Sequence, residues 1–223
     1  MTGFVGLICG LRAESDVASK AAHAARLKIA VSGANAAQAE VLAARLCAEG
    51  AAAIVSFGVS GGLAPHLKPG DLLIGKSVKT ASGETFGCDP FHAAALGAGA
   101  VLFGSDNMVA TAAEKARLYR ETGAVAVDME SHGAARAARD AGIPFIAIRA
   151  IADPADRALP KSALGSIAPD GSMRAFSTLL KCVTAPGDFP ALLQLGWDNE
   201  AALETLGRDL DRLLGALFVG LDL

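Results

Sequence analysis

Along the first 150 or so residues, short runs of Val, Ile, Leu and Phe alternate with alanine-rich stretches whose apolar positions recur every three to four residues. Runs that stay apolar on both faces mark strands buried on both sides, as in sheets covered by helices. Strands are therefore expected at Phe4–Cys9, Leu27–Val31, Ala53–Phe57, Asp71–Val78, Ala100–Phe103, Ala124–Asp128 and Phe145–Ile151. Helices are expected over Ala36–Glu49, Ala112–Thr122 and Glu130–Ala141; the last meets a stop at Gly142, and Pro144 opens the next strand. After Ile151 comes a loop, Asp153–Pro160, and then helical segments. The final one carries Leu203, Leu206, Leu210, Leu213, Leu214 and Leu217, a helical stripe that packs on the sheet or on a partner. No repeat, charge block or low-complexity linker divides the chain, so an α/β architecture in a single domain, residues 1–223, is the reading.

Composition narrows the function. The chain has 223 residues, 52% of them hydrophobic and 19% charged, with 20 Lys and Arg against 23 Asp and Glu, a net charge of −3. That length permits a core that buries roughly 70% of the unfolded surface. The low charge and a mean hydropathy of +0.40 exclude a disordered chain. An acidic balance with nine Phe, one Tyr and one Trp argues against nucleic acid as a partner. Apolar stretches such as Ala93–Gly104 fall short of the roughly 18 to 20 residues of a membrane span, and Met1–Arg12 lacks the features of a signal peptide, so a soluble, cytoplasmic protein is expected. Cys9, Cys47, Cys88 and Cys182 lie far apart and the four His are scattered, which predicts free buried thiols and neither a disulfide frame nor a metal site.

One motif is deceptive. Gly70-Asp71-Leu72-Leu73-Ile74-Gly75-Lys76-Ser77 fits the phosphate-loop pattern letter for letter. A working phosphate loop follows a strand, keeps a flexible middle and leads into a helix. Here the middle is Leu-Leu-Ile, the sequel Val78-Lys79-Thr80 favours strand, and Pro69-Gly70 is a turn, so the segment is expected to be an ordinary strand.

Three segments place polar residues beyond strand ends, where open α/β sheets bind ligands. Gly58-Val59-Ser60-Gly61-Gly62-Leu63 is either a plain turn or a glycine-lined approach for an oxygen-rich ligand. Asp128-Met129-Glu130-Ser131 puts two acids at a helix start; they either cap the helix or leave Glu130 to accept two hydrogen bonds from a vicinal diol. Arg149 interrupts an apolar strand and Asp153 stands at its exit before Pro154. The arginine needs an acidic partner, and the aspartate suits a general acid. Glu14 follows the first strand closely enough to reach the same cleft.

Taken in order, Gly6-Leu7-Ile8 with Glu14, Ser32-Gly33, Gly58–Leu63 leading to Pro69-Gly70-Asp71, Asp128-Met129-Glu130 and Arg149–Asp153 resemble the nucleoside phosphorylase and nucleosidase superfamily, in its methylthioadenosine/S-adenosylhomocysteine nucleosidase branch. The spelling of Ala124–Ser131, Asp153–Pro160 and Phe189–Leu193 looks like the hopanoid-associated phosphorylase group, which removes adenine from adenosylhopane. The resemblance implies a central mixed, twisted sheet flanked by helices and cleavage of the N-ribosidic bond of a 5′-substituted adenosine. It implies Asp153 as the acid that protonates the base, Glu14 and Arg149 as the groups that position the attacking water, and Glu130 as the holder of the ribose hydroxyls with Met129 under the sugar. Asp128, Val59, Ser60, Gly61, Met108 and Val109 complete the implied substrate site. No metal or organic cofactor is implied, and phosphate would be a co-substrate only in a phosphorylase.

Departures from the family pattern bear on the nucleophile and the base. The phosphorylases place an arginine and a serine on the loop after the third strand, where this chain has Ser56-Phe57-Gly58-Val59. With a carboxylate at Glu14, that favours water, and Arg12 is the one residue that could restore phosphate binding. Met108 replaces a stacking aromatic, and Ala152 a serine or threonine before the acid. The apolar segment Ala185–Trp197 is expected to be a loop and short helix on the core, or the border of a channel for a hydrocarbon tail. Rival activities on this scaffold are methylthioadenosine/S-adenosylhomocysteine or futalosine hydrolysis; a rival of another class is a nucleoside- or lipid-binding protein without catalysis. A homodimer is implied, and a lipid-tailed substrate would bring peripheral membrane contact.

Overall fold

A computed structural model of the chain describes residues 3–90, 94, 96, 97, 99–163, 168–172 and 186–221. Cys182, Ala185 and parts of the Ala93–Gly104 stretch lie outside the described residues. The strands are β1 Phe4–Cys9, β2 Leu27–Val31, β3 Ala51–Gly62, β4 Leu72–Thr80, β5 Thr85–Gly87, β6 Ala100–Gly104, β7 Ala126–Asp128 and β8 Phe145–Asp153. The α-helices are α1 Arg12–Ser19, α2 Ala36–Ala48, α3 Ala112–Thr122, α4 Ser131–Ala141 and α5 Phe189–Gly220.

The sheet is mixed. Its strands follow the order β2-β1-β3-β7-β6-β4-β5, and β8 pairs with both β3 and β4. The strands β3, β8, β4, β6 and β7 thus close into a ring, with β3–β8, β4–β6 and β6–β7 parallel and β4–β8 and β3–β7 antiparallel. A closed ring leaves its members no free edge. Alanine lets α2 and α4 lie close together over one face: Ala39, Ala43, Ala134 and Ala138 pack with Ile54, Leu102 and Ile151. A Cβ on Gly133 would stand 2.1 Å from the Ala36 carbonyl oxygen, so the two backbones touch there. On the other face the leucine stripe of α5, Leu206 to Leu217, packs against Val5, Leu7, Val55, Ile146 and Ile148. The stripe covers the sheet of its own chain.

Five expectations need correction. β3 runs on through Gly62, so most of Gly58–Leu63 is strand rather than turn: its glycines are held in the ladder by β8 (Gly58 opposite Arg149) and by β7 (Gly61 opposite Val127). β8 likewise continues to Asp153. Helix α1 and strand β5 had no apolar periodicity to announce them; α1 buries only Glu14 and Ala18. The loop and short helix expected over Ala185–Trp197 are, from Phe189 onward, the opening turns of a 32-residue helix with proline in its first turn, where a missing N–H costs nothing. Cys9 and Cys88 are buried free thiols, but Cys47 is only half-buried. The phosphate-loop look-alike is strand β4 from Leu72, preceded by a turn with Gly70 at φ 86°. No helix among the described residues is long and apolar enough to cross a membrane.

Candidate active site

The C-terminal ends of β3, β7 and β8 converge on a cavity of about 170 Å3. Glu14, Val59, Ser60, Gly61, Met108, Val109, Asp128, Met129, Glu130 and Asp153 all line it, as do Ala34 and Ala152. Every sequence-predicted site residue except Arg149 therefore meets at one place. Ala34 is the only non-glycine residue at positive φ, 54°, among the described residues, and it forms part of the wall.

Glu14 enters from the first turn of α1 and is held on three sides. Its Oε2 accepts the N–H groups of Gly10 and Leu11, both at 2.8 Å, and its Oε1 accepts the Val59 N–H at 2.8 Å. The fit requires glycine in β3, because a Cβ on Gly58 would stand 2.4 Å from Glu14 Oε1. Burial pushes the Glu14 carboxyl up, against the pull of Arg149 and the three N–H donors.

The Asp128–Ser131 segment divides its labour. Asp128 does the capping of α4: its Oδ1 accepts the N–H groups of Glu130 and Ser131 at 3.0 and 2.7 Å, and its Oδ2 accepts the Ser131 hydroxyl at 2.7 Å. Both Asp128 oxygens are thereby engaged in fixing the start of α4 at the cavity wall. Glu130 makes no cap and keeps its carboxyl at the cavity, over Gly10, where any Cβ would strike its Oε1. Burial drives Glu130 up to about 8; Arg149 opposes the rise, while the charges of Asp128 and Glu14 add to it. Burial acts upward on Asp128 too, but Arg149 and Ser131 outweigh it and hold that carboxyl below its ordinary value.

Arg149 is the exception among the expected residues. It is wholly buried, absent from the cavity wall, and lies behind the acids. Its Nε is 3.2 Å from Asp128 Oδ2 and its Nη2 is 3.4 Å from Glu130 Oε2, and Nη2 also donates to the hydroxyls of Ser56 and Ser131 at 2.6 and 3.0 Å. Enclosed by these partners, the guanidinium compensates buried carboxylates and fixes where they point. Ser56, Ser131 and Arg149 form a polar network that the sequence left unassembled, because its members lie on three separate elements.

Asp153 closes the opposite side. Burial raises its carboxyl, and Lys115 on α3 pulls it down through an ion pair to Oδ2. Lys115 was missed: between Glu114 and Arg117 it reads as a residue on a solvated helix face, yet it is wholly buried. Arg12 is 60% exposed and paired with Asp170 at 2.7 Å, away from the cavity. Among the described residues no cluster of three or more His, Cys, Asp or Glu could hold a metal ion.

Known proteins share the fold and the family of this chain. No curated protein sequence matches the chain. Solved structures with the same fold include futalosine hydrolase of Helicobacter pylori (TM-score 0.73, 16% identity, 96% of this chain and 97% of that one). The 5′-methylthioadenosine/S-adenosyl homocysteine nucleosidase of the same bacterium has a TM-score of 0.72 at 16% identity, covering 96% of this chain and 98% of that one. The corresponding nucleosidase of Colwellia psychrerythraea, in complex with adenine, has a TM-score of 0.73 at 15% identity over 97% and 96% of the two chains. A model of the phosphorylase superfamily matches residues 17–95 and 90–184, most of the chain, and on that match the protein belongs to the phosphorylase superfamily of enzymes.

Proposed function

We propose that the protein hydrolyses the N-ribosidic bond of a 5′-substituted adenosine and releases adenine. The observation that carries this reading is the set of three buried carboxyl groups, Glu14, Glu130 and Asp153, around one cavity, each with a different set of partners. Different surroundings allow different roles for chemically similar acids. Asp153, raised by burial, gives its proton to N7 of the purine as the C1′–N9 electron pair passes to the base, which leaves neutral. The ribose 2′- and 3′-hydroxyls donate to Glu130 and so favour its ionised form, whose carboxylate steadies the cationic sugar. Water held by Glu14 attacks C1′ and passes a proton to that carboxylate; exchange with solvent returns one proton to Asp153 and removes one from Glu14. In this scheme Arg149 orients Glu130 through its ion pair rather than touching water.

Water is favoured over phosphate as nucleophile by the charges at the site. No lysine, arginine or histidine among the described residues lines the cavity, the Ser56 hydroxyl is taken by Arg149, and Arg12 turns to Asp170. A phosphate dianion in the cavity would meet Glu14 with no cation in the wall among the described residues. For the 5′ substituent we propose the hydrocarbon of adenosylhopane, on the motif resemblance in Asp153–Pro160 and Phe189–Leu193. Support comes from Phe189, Leu193 and Trp197, which are 50, 45 and 62% exposed at four-residue spacing on α5. Methylthioadenosine, S-adenosylhomocysteine and futalosine, the substrates for which the structural neighbours are named, are the second reading. We further propose a homodimer working in the cytoplasm, in peripheral contact with a membrane when the substrate is lipid-tailed.

The test is incubation with adenosylhopane, methylthioadenosine, futalosine and inosine, each with and without phosphate, following free base and sugar 1-phosphate. Adenine release without phosphate, fastest from adenosylhopane, is expected. Strict phosphate dependence would overturn hydrolysis, and release from none of the four would overturn the enzymatic reading.

A further inference from the structure

The described cavity leaves Lys115 without a part, although few residues in the chain are more costly to place. It is wholly buried on α3, a position where an uncompensated ammonium is strongly disfavoured. Its three donors meet three acceptors: Asp153 Oδ2, the Pro154 carbonyl oxygen at 2.8 Å and the Arg157 carbonyl oxygen at 3.0 Å. An ammonium has three protons to donate and no lone pair, so this cage fits the charged form. Lys115 is absent from the cavity wall that Asp153 lines, so it grips the carboxyl from behind. Asp153 Oδ1 takes no hydrogen bond from the described residues and remains for a ligand.

We infer that Lys115 is a positioning residue for the reaction: it clamps Asp153 Oδ2, aims Oδ1 at the purine, and stabilises the carboxylate that remains when the proton has left. The inference rests on the hydrolytic reading of the site and adds a residue to it. The clamp extends past Asp153. Arg157, whose carbonyl Lys115 holds, forms an ion pair with Asp198 of α5, so the turn after β8 is pinned from two helices. The charged groups facing Asp153 are Lys115 from α3, Arg157 from its own turn and Asp198 from α5; of these Lys115 and Arg157 favour the carboxylate and Asp198 opposes it.

Lys115→Met removes the charge and keeps most of the volume. If Lys115 acts through Asp153, kcat falls about 100-fold, the size of loss that a misplaced catalytic group brings, while KM stays within about twofold. The protonated acid is the active form, so kcat declines as pH rises through the Asp153 pKa. Without the ammonium that decline moves to higher pH by one unit or more. In an Asp153→Asn background Lys115→Met should cost nothing further, because the group it serves is gone. A raised KM with kcat intact, an unmoved pH limb, or losses that add in the double variant would overturn the inference and leave Lys115 as a structural anchor for the turn.

One measurement needs no turnover. The Lys115 Nζ resonance, followed by 15N NMR against pH, should report the titration of the Asp153 carboxyl, with assignments from 13C-labelled aspartate and Asp153→Asn. Independent titration of the two groups would overturn the clamp even if no nucleoside proved to be a substrate. A shared titration in a protein that releases no base would uphold the clamp and overturn the hydrolytic reading instead.

Discussion

Glu14, Glu130 and Asp153 stand out in the sequence because each is an acid just after a run of apolar strand residues, where a buried charge needs a reason. The same reasoning placed Arg149 among the acids but not which of them it would serve. That depended on Ser56 and Ser131 approaching from β3 and α4. Lys115 was illegible for a simpler cause: its partner is 38 residues away, and nothing in the local pattern of α3 separates a buried lysine from an exposed one. Replacing Asp153 by Asn keeps the size of the side chain and removes the transferable proton. Adenine release should fall at least about 100-fold while an uncleavable nucleoside analogue still binds, measured by base-release kinetics and calorimetry. Unchanged release would remove Asp153 from the mechanism.

At the scale of elements, the alternation of strand and helix was readable wherever hydrophobic periodicity was strong, and the ends of α3 and α4 were marked by Gly123 and Gly142, both at φ 68°. The run of β3 through Gly58–Gly62 was not readable, because glycine has low strand propensity and the ladder to β8 is a tertiary fact. The contact of α2 with α4 gives a test. Gly133→Ala would place a methyl group 2.1 Å from the Ala36 carbonyl and force the helices apart, lowering stability by about 1–3 kcal/mol in urea denaturation. A stability equal to the parent would mean that the helices do not touch there. The exposed stripe of α5 gives another. Phe189→Asp with Leu193→Asp should impair turnover of a long-tailed adenosyl substrate several-fold more than turnover of methylthioadenosine, compared by kcat/KM; equal losses would detach the stripe from substrate recognition.

For the molecule as a whole, burying three acids in one place has a thermodynamic consequence. Glu14, Glu130 and Asp153 all have their carboxyls raised in the fold, Glu130 to about 8 from 4.5. Each group then keeps its proton in the folded state at pH values where the unfolded chain has lost it, so their contribution to stability is full below the ordinary carboxylate range and is lost as pH rises through the raised values, about 8 for Glu130. Asp128, lowered by Arg149, acts with the opposite sign, but only below its ordinary value of 3.8. Urea denaturation at pH 5.5 and 8.5 should show the protein weaker at the higher pH, and Glu130→Gln should flatten that slope; an unchanged slope would mean that Glu130 is ionised throughout.

The closed ring of strands also bears on how such a protein can vary by descent. β8 is hydrogen-bonded on both sides, and it carries Arg149 and Asp153 on residues four apart. Inserting or deleting one residue between them would turn one of the pair to the other face and break two ladders at once. The segments that flank the cavity, Ser105–Val109 and the turn after Asp153, belong to no ladder. Changes to the rim of the cavity can thus accumulate in those segments without breaking a ladder, while Arg149 and Asp153 stay tied to the register of β8.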